Sequence, residues 1–207
     1  IDMKDLLASK NTTEQLAGLA AFNGTSQVAF EKKPFRLLVL PLLESNDPAV
    51  RAGAAPALLI AGLKKGDDDR VATLTKDNSA SVRIAAAHTL IWNSEKDLSQ
   101  SNHSRHIATL LRDKETSKEV LQGLWGVKFS PEIEAEVLRL SNTTKVSDAN
   151  TNDIAYTALY YALSTQPNKS EASVKRLIEY FAARDTHNIA GRAAWGLGQG
   201  VAPAQQD

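Results

Sequence analysis

Two stretches of the chain, Asp47-Pro-Ala-Val-Arg-Ala-Gly-Ala-Ala-Pro-Ala-Leu58 and Ser79-Ala-Ser-Val-Arg-Ile-Ala-Ala-Ala-His-Thr-Leu90, decide its fold. In both, Val-Arg is followed by an Ala-Ala pair and then by Leu, at identical offsets. With Val50 and Val82 as a reference column, weaker copies recur at steps of roughly 34 residues. These copies place in the same column Leu16, Val120, Ile154 and Ile189. A repeat of this length predicts stacked structural units rather than one irregular fold.

The residues that follow the reference column predict helices. Positions i, i+4, i+5 and i+8 lie on one face of an α-helix, and small residues there let two helices approach closely. The fourth and fifth positions after the column read Ala20 and Ala21, Ala54 and Ala55, Ala86 and Ala87, Leu124 and Trp125, Ala158 and Leu159, Ala193 and Ala194. Between the copies runs a second helical pattern, first over 35–43 and then over 69–74. Each unit is therefore predicted to be a helix pair, and the chain to be all-α.

Start signals for several of these helices are readable in the sequence. Asp47 and Ser130 are each followed by Pro, the arrangement of an N-cap with proline at the first helical position. Thr12 with Gln15 fits a capping box. We find no stretch with sustained strand alternation and hairpin turns.

The sequence Asp-Pro-x-Val-Arg followed by Ala-Ala and Leu resembles HEAT repeats, especially the short bacterial HEAT-like kind. The match is good near Asp47 and Ser79, fair near Asn188, and weak near Leu16, Val120 and Ile154, where the arginine is missing. The resemblance implies one repeat domain over residues 1–207, a right-handed α-α superhelix of about five to six HEAT-like helix pairs. The first helix pattern resembles the tail of a preceding unit, so we expect a segment of a longer protein.

The resemblance also assigns a structural role to two arginines. Arg51 and Arg83 occupy the position of the HEAT-repeat arginine, which in that family bonds acidic or backbone groups of an adjacent unit and so forms a ladder. Asp47 and Asp77 are the candidate partners in this chain. We expect these four residues to stabilise the fold rather than to bind a ligand.

Composition excludes several classes of function. The formal net charge is +0, and without a basic excess we expect no bulk binding to nucleic acid or to acidic membranes. The absence of cysteine removes disulfides, thiolate nucleophiles and cysteine-ligated zinc, but it leaves the compartment undecided. The apolar runs are too short to span a bilayer, so we expect no transmembrane segment.

Motifs for catalysis or metal binding are missing from the sequence. It has no Gly-x-Ser-x-Gly nucleophile motif, and its glycines do not form a phosphate-binding loop after a strand. His103 and His106 could share a metal ion, but no third ligand lies nearby in the sequence. The run 67–69 of three aspartates lacks the spaced oxygen ligands of a calcium loop. We therefore predict no catalytic residue, cofactor, metal or small-molecule substrate.

One helical column predicts a protein-binding surface. The sixth position after the reference column lies at about 240° on the helix, away from the packing face. That column reads Pro56, His88, Gly126, Tyr160 and Trp195. We expect Tyr160 and Trp195, with His88, to mark a patch that faces a partner protein, because exposed aromatic side chains are typical of such contacts. The alternative is that both rings fold over neighbouring turns of their own helices.

A second candidate surface is the row formed by the second helix of each pair, which usually lines the concave side of a solenoid. Arg36 and Arg70 stand at its N-terminal end and predict a weakly basic groove suited to an acidic peptide. Solvated helix faces carry similar charges, so that reading stays open.

Taken together, the sequence favours a non-enzymatic scaffold that binds a protein partner. The alternative is an accessory domain that positions a catalytic domain within a larger multidomain enzyme, inside or outside the cytoplasm. A third reading, a lyase-like or chaperone role in pigment attachment, follows only from the resemblance, and no residue supports it. Fold alone does not establish function.

Overall fold

The computed structural model describes residues 2–25, 33–64, 66–143 and 153–182, and over these ranges the chain is all-helical, with no β-strand. Backbone pairing outside helices includes an isolated bridge between Asp97 and Lys128. The chain divides into two compact units, residues 1–93 and residues 94–207. The single repeat domain expected over residues 1–207 stays a prediction.

The first unit contains six α-helices within the described ranges. They are α1 (Met3–Ala8), α2 (Thr12–Asn23), α3 (Arg36–Val39), α4 (Pro48–Ala61), α5 (Asp67–Thr73) and α6 (Ala80–Asn93). Short 3₁₀ turns extend two of them: Lys33–Phe35 and Leu40–Glu44 flank α3, and Leu74–Lys76 follows α5. Helix α4 packs against both α2 and α6, and α1 packs against α2.

The second unit contains five α-helices within the described ranges. They are α7 (Ser104–Arg112), α8 (Ser117–Gly123), α9 (Pro131–Ser141), α10 (Ile154–Thr157) and α11 (Glu171–Ala182). Helix α10 continues as a π-helical segment, Ala158–Leu163. Helix α9 packs against α7, α10 and the π-helical segment, and α8 packs against α7 and α10.

The predicted helix starts at Asp47 and Ser130 are confirmed. The Asp47 carboxylate accepts a hydrogen bond from the Ala49 N–H at 2.7 Å, with proline at the first helical position of α4. The Ser130 hydroxyl accepts from the Ile133 N–H at 3.4 Å at the start of α9. Each side chain satisfies a backbone donor that has no partner within the helix.

The two best copies of the repeat bury the face that was predicted. In α4 and α6 the side chains of Val50, Ala54, Ala55 and Leu58, and of Val82, Ala86, Ala87 and Leu90, are no more than 1% exposed. Helices α4 and α6 pack against each other, and small buried residues are compatible with a close approach of helices. Truncation of either leucine to Ala would leave a cavity and cost about 2–5 kcal/mol.

The first copy of the repeat was wrongly aligned. Ala20 and Ala21 are exposed, whereas α2 buries Gly18, Leu19 and Phe22. The three buried residues instead match the buried Ala54, Ala55 and Leu58 of α4 when both helices are counted from their N-caps.

The observed N-cap of α2 also differs from the predicted one. Asn11, not Thr12, is the N-cap, and its side chain accepts hydrogen bonds from the Thr13 and Glu14 N–H groups at 2.9 and 3.4 Å. The predicted capping partner Gln15 instead donates to the Ser9 carbonyl at 2.7 Å. Counted from Asn11, the buried face of α2 falls on Gly18, Leu19 and Phe22.

Two close contacts tie α2 to its neighbours. A Cβ atom at Gly18 would lie 3.0 Å from both the Leu6 Cβ and the Leu7 backbone nitrogen, so glycine permits the approach of α1. At the other end of α2, the Asn23 Nδ2 donates to the Gly53 carbonyl at 3.1 Å. Over the described residues, none of the helices has the length and apolar character that crossing a bilayer requires.

Candidate functional site

Arg51 and Asp77, two residues of the predicted structural ladder, form an ion pair. The Arg51 Nε lies 2.7 Å from one carboxylate oxygen of Asp77, and its Nη2 lies 2.9 Å from the other. The Arg51 Nη1 also donates to the backbone carbonyls of Ser45 and Asn46, at 2.7 and 3.2 Å. Through these bonds, Arg51 connects helix α4 both to the turn before it and to the turn before α6.

Arg83 repeats half of this arrangement one unit later. Its Nη1 donates to the carbonyls of Asp77 and Asn78 at 2.9 and 3.1 Å, the same offsets that Arg51 uses. Asp47 serves as the N-cap of α4 and adds a favourable charge near Arg51. Asp47 therefore caps α4, while the two arginines and Asp77 bond the turns before α4 and α6; the ladder as a whole stays a prediction.

The ion pair with Arg51 lowers the pKa of the Asp77 carboxyl. The hydrogen bond from Arg51 holds the pKa of the Asp77 carboxyl below its usual range, against the opposing effect of burial. The Ser79 N–H, 2.9 Å away, adds to the stabilisation of the charged carboxylate. A carboxylate held in this way contributes stability only while it is ionised.

The two arginines of the predicted basic groove have acidic partners. Arg36 binds both carboxylate oxygens of Asp67, at 2.7 and 2.5 Å, and the pair is mostly buried. Arg70 forms an ion pair with Glu44. Their charges are therefore compensated within the first unit, and Asp67 acts as a partner for α3 as well as an acidic residue at the start of α5.

Comparable polar contacts join the second helices of the other unit. Glu136 of α9 accepts hydrogen bonds from Arg112 of α7 and from Arg139, both at 2.7 Å. Burial acts to raise the pKa of Glu136, but the bonds from the two arginines outweigh it and hold the pKa below its usual range. Toward α11, the hydroxyl groups of Ser170 and Ser173 both donate to Glu134.

Tyr160 belongs to a cluster of four partly exposed aromatic rings, which we term the aromatic cluster: Trp125, Tyr156, Tyr160 and Tyr161. The ring of Tyr160 stacks on that of Tyr156 with centroids 5.2 Å apart. It meets Tyr161 edge-on at 4.9 Å and lies 6.2 Å from Trp125. Aromatic pairs in such geometries stabilise one another by about 0.5–1.5 kcal/mol beyond area burial.

The backbone beneath the aromatic cluster is unusual and well anchored. Tyr160 and Tyr161 lie in the π-helical segment, a rare geometry that is frequent at functional sites. The Thr165 hydroxyl donates to the Tyr161 carbonyl at 2.6 Å and accepts from the Gly126 N–H at 2.9 Å. Gly126 itself has φ +68°, a left-handed conformation that favours glycine. These bonds fix the loop that carries Trp125 against the two tyrosines.

The remaining members of the predicted surface column are less informative. Pro56, His88, Gly126 and Tyr160 are all partly exposed, in keeping with a column that turns away from the packing face. Trp195 lies outside the described residues, so its pairing with Tyr160 stays a prediction. Trp125, Tyr156 and Tyr161 were not predicted as surface residues, although their spacing in sequence around Tyr160 was a usable signal.

A groove in the first unit was also not predicted. It has a volume of about 300 Å³ and lies between the C-terminal end of α1 and the segment formed by α3 and its 3₁₀ extension. We call it the α1–α3 groove. Its apolar lining consists of Leu7, Ala8, Leu37, Leu38, Pro41 and Leu42. The side chain of Leu37 is 72% exposed, the highest value among the large apolar residues described.

One half-buried lysine stands apart from these surfaces. Lys169, in the turn before α11, donates from Nζ to the Gln166 carbonyl at 2.6 Å. Burial lowers the pKa of Lys169 to about 8. The cationic form of this side chain is therefore disfavoured in the folded protein.

None of the protein-family models, curated proteins and solved structures compared with the chain matches it.

Proposed function

We propose that this chain is a non-enzymatic protein-binding module, built as a right-handed HEAT-like α-solenoid. The packing order within each unit supports this architecture. In the first unit α4 packs against α2 and α6, which are the first helices of neighbouring pairs. In the second unit α7 and α9 pack together as second helices, and polar bonds continue that row to α11. Neighbour-on-neighbour packing of like helices is typical of solenoids.

The aromatic cluster is the observation that supports a binding function most directly. Rings that are large, rigid and partly exposed lose little conformational entropy on binding, and tyrosine and tryptophan dominate the energetics of protein interfaces. Burying all four rings would remove a continuous apolar surface from water. The bonds from Thr165 hold that surface in one arrangement before a partner arrives. Such preorganisation favours affinity.

Affinity capture tests the proposal. The purified chain serves as bait in a lysate of the source organism, and bound proteins are quantified by mass spectrometry. Tyr160→Ala should raise the Kd for the dominant partner by about 30-fold, as expected when a residue contributes about 2 kcal/mol at an interface. Tyr160→Phe keeps the ring contacts and should retain most of the binding.

Ile178→Ala is the matched control, because Ile178 is also an exposed apolar residue of the second unit, at 50% exposure, and lies outside the aromatic cluster. Circular dichroism should show that all three variants remain folded. A partner that binds the wild type and Tyr160→Ala equally would refute the role of the aromatic cluster. Capture of no reproducible partner would favour the accessory-domain alternative, in which the relevant contact lies within a parent chain.

A further inference from the structure

A side-chain hydroxyl takes the place of a backbone donor at the end of the π-helical segment. The Ser164 N–H bonds to the Leu159 carbonyl at 3.0 Å, whereas in an α-helix it would bond to the Tyr160 carbonyl. The Ser164 hydroxyl donates to the Tyr160 carbonyl instead, at 2.6 Å. The side chain of Ser164 therefore supplies the hydrogen bond that its own backbone directs elsewhere.

The Thr165 hydroxyl has a similar role one residue later. It donates to the Tyr161 carbonyl at 2.6 Å and accepts from the Gly126 N–H at 2.9 Å. Thr165 is only 8% exposed, so water has little access to replace either bond. Loss of this hydroxyl would take a partner from the Gly126 N–H and from the Tyr161 carbonyl. The Thr165 hydroxyl therefore joins the loop that carries Trp125 to the segment that carries the tyrosines.

An α-helical register is the alternative conformation for residues 158–163. In that register the N–H groups of residues 164 and 165 would bond to the carbonyls four residues back, and neither hydroxyl would be required there. A change from one register to the other shifts the helix by about one residue, which turns the side chains at its end by roughly 100°. Such a turn would separate Tyr161 from Trp125, whose ring centroids lie 5.9 Å apart.

The departure from α-helical spacing is local. The Gln166 N–H bonds to the Ala162 carbonyl at 3.0 Å, which is again an α-helical bond. Residues 164–170 then lead into α11, and Pro167 and Asn168 in this stretch are exposed. An exposed turn can absorb a shift of one residue without moving a buried helix. The two registers therefore differ mainly at the aromatic cluster and not in the fold of the second unit.

We propose that the hydroxyl groups of Ser164 and Thr165 hold residues 158–163 in the π-helical register and so position the aromatic cluster for binding. Both side chains are buried and act through the rings, so they are positioning residues. This role rests on the proposed function, because the register affects binding only if the aromatic cluster is the binding surface. A variant that leaves the π-helical register one tenth populated should raise Kd about tenfold.

NMR on the full chain tests the register directly, with a double variant that combines Ser164→Ala and Thr165→Val. Scalar couplings across hydrogen bonds identify the carbonyl carbon that pairs with each backbone nitrogen. In the wild type, the Ser164 nitrogen should couple to the Leu159 carbonyl. In the double variant, the nitrogen at position 164 should couple to the Tyr160 carbonyl. The nuclear Overhauser effect between the rings of Trp125 and Tyr161 should be present in the wild type and absent in the double variant.

Two controls separate positioning from a general loss of structure. Thr165→Ser keeps the hydroxyl and should retain both NMR signals of the wild type. Thr89→Val is the matched control, because Thr89 is 2% exposed and its hydroxyl donates to the Ala85 carbonyl at 2.8 Å within the regular helix α6. It should leave the signals of the aromatic cluster unchanged. Circular dichroism in the far ultraviolet should show that every variant keeps its helical content.

Binding is measured by anisotropy with the protein that the wild-type chain captures, purified and labelled with a fluorophore. Kd should rise at least about tenfold for the double variant and stay within about twofold of the wild type for Thr165→Ser and Thr89→Val. A double variant that keeps the pairing with Leu159, or the contact between Trp125 and Tyr161, would overturn the proposal whatever its affinity. A double variant that loses both but binds like the wild type would remove the link to binding and count against the aromatic cluster as the binding surface.

Discussion

Replacing Asp77 with Asn isolates the energetic role of its ion pair with Arg51. Asp77 accepts two hydrogen bonds from Arg51, at 2.7 and 2.9 Å, and its side chain is only 10% exposed. Asn keeps the shape and one oxygen acceptor, but it removes the charge and one acceptor for the guanidinium. The Arg51 bonds to the Ser45 and Asn46 carbonyls remain available.

The expected loss of unfolding free energy is about 2–3 kcal/mol. A hydrogen bond to a charged group contributes about 1.5–3 kcal/mol, and the variant forfeits one such bond together with the attraction between the charges. With a urea m-value near 2–3 kcal/mol/M, the midpoint should fall by about 1 M. Urea titration followed by circular dichroism at neutral pH measures the shift.

The dependence on pH supplies a second test of the same pair. Because its folded-state pKa is lowered, Asp77 contributes stability that is fully present above its unfolded pKa of about 3.9. That contribution is lost as the pH falls through the lower folded value. The difference between wild type and Asp77→Asn should therefore shrink below about pH 4.

A double-mutant cycle with Arg51→Met completes the test. The sum of the two single-mutant losses in unfolding free energy should exceed the loss in the double mutant by at least about 1 kcal/mol, because the two residues share one interaction. Lys128→Gln is the control, since Lys128 pairs with Asp97 at 3.3 Å in an exposed position and should matter much less. A loss below about 0.5 kcal/mol for Asp77→Asn, or strictly additive losses, would refute the ladder as a stabilising device.

Three further substitutions probe other parts of the fold. Gly18→Ala should cost about 1–2 kcal/mol in urea unfolding, because its Cβ would lie 3.0 Å from atoms of α1, whereas Gly24→Ala, with contacts of 3.4 Å or more, should be nearly neutral. Glu136→Gln should lower stability by about 1–2 kcal/mol at pH 7 through the loss of its ion pairs with the exposed Arg112 and Arg139, and the difference should shrink in acid, when the wild-type carboxylate is protonated. Lys169→Met should raise the free energy of unfolding at pH 7. Burial lowers the pKa of Lys169 to about 8, so the cost of its charge is fully present below pH 8 and is relieved only as the pH rises from about 8 toward the pKa of the unfolded chain. A wild type that is more stable than the variant at pH 7 would contradict this.

The sequence predicted the helices best where the N-cap and the buried face lie at a constant distance from each other. In α4 and α6 the valines, the alanine pairs and the leucines occupy one buried face, because a helix that starts at a fixed cap buries residues at fixed distances from it. In α2 the repeat spacing placed Leu16 in the column of Val50, two residues away from the position that the observed cap, Asn11, dictates. The helical class of the chain is therefore readable from sequence, while the register of a weak copy is not.

The binding surfaces were only partly predictable, for a different physical reason. Tyr160 was found because its position follows helical periodicity, but the π-helical segment changes that periodicity locally and brings Tyr161 beside it. The α1–α3 groove joins Leu7 to Leu37, residues far apart in sequence whose apposition depends on tertiary packing. Ion pairs such as Arg36 with Asp67 depend on it too, which is why a basic groove was expected where the charges are paired.

The bond from Asn23 to the Gly53 carbonyl has a consequence for production of the protein. Asn23-Gly24-Thr25 is an acceptor triplet for N-linked glycans, and the nitrogen that would carry the sugar is the one that donates to Gly53. The Thr25 hydroxyl is also engaged, with the Phe22 carbonyl at 2.5 Å. In a glycosylating secretory host, a sugar at Asn23 would replace one of the two hydrogens on this nitrogen and would have to fit beside the Gly53 carbonyl of α4. The sugar would therefore compete for space with the contact between α2 and α4, whereas in a chain that folds first the nitrogen is already engaged.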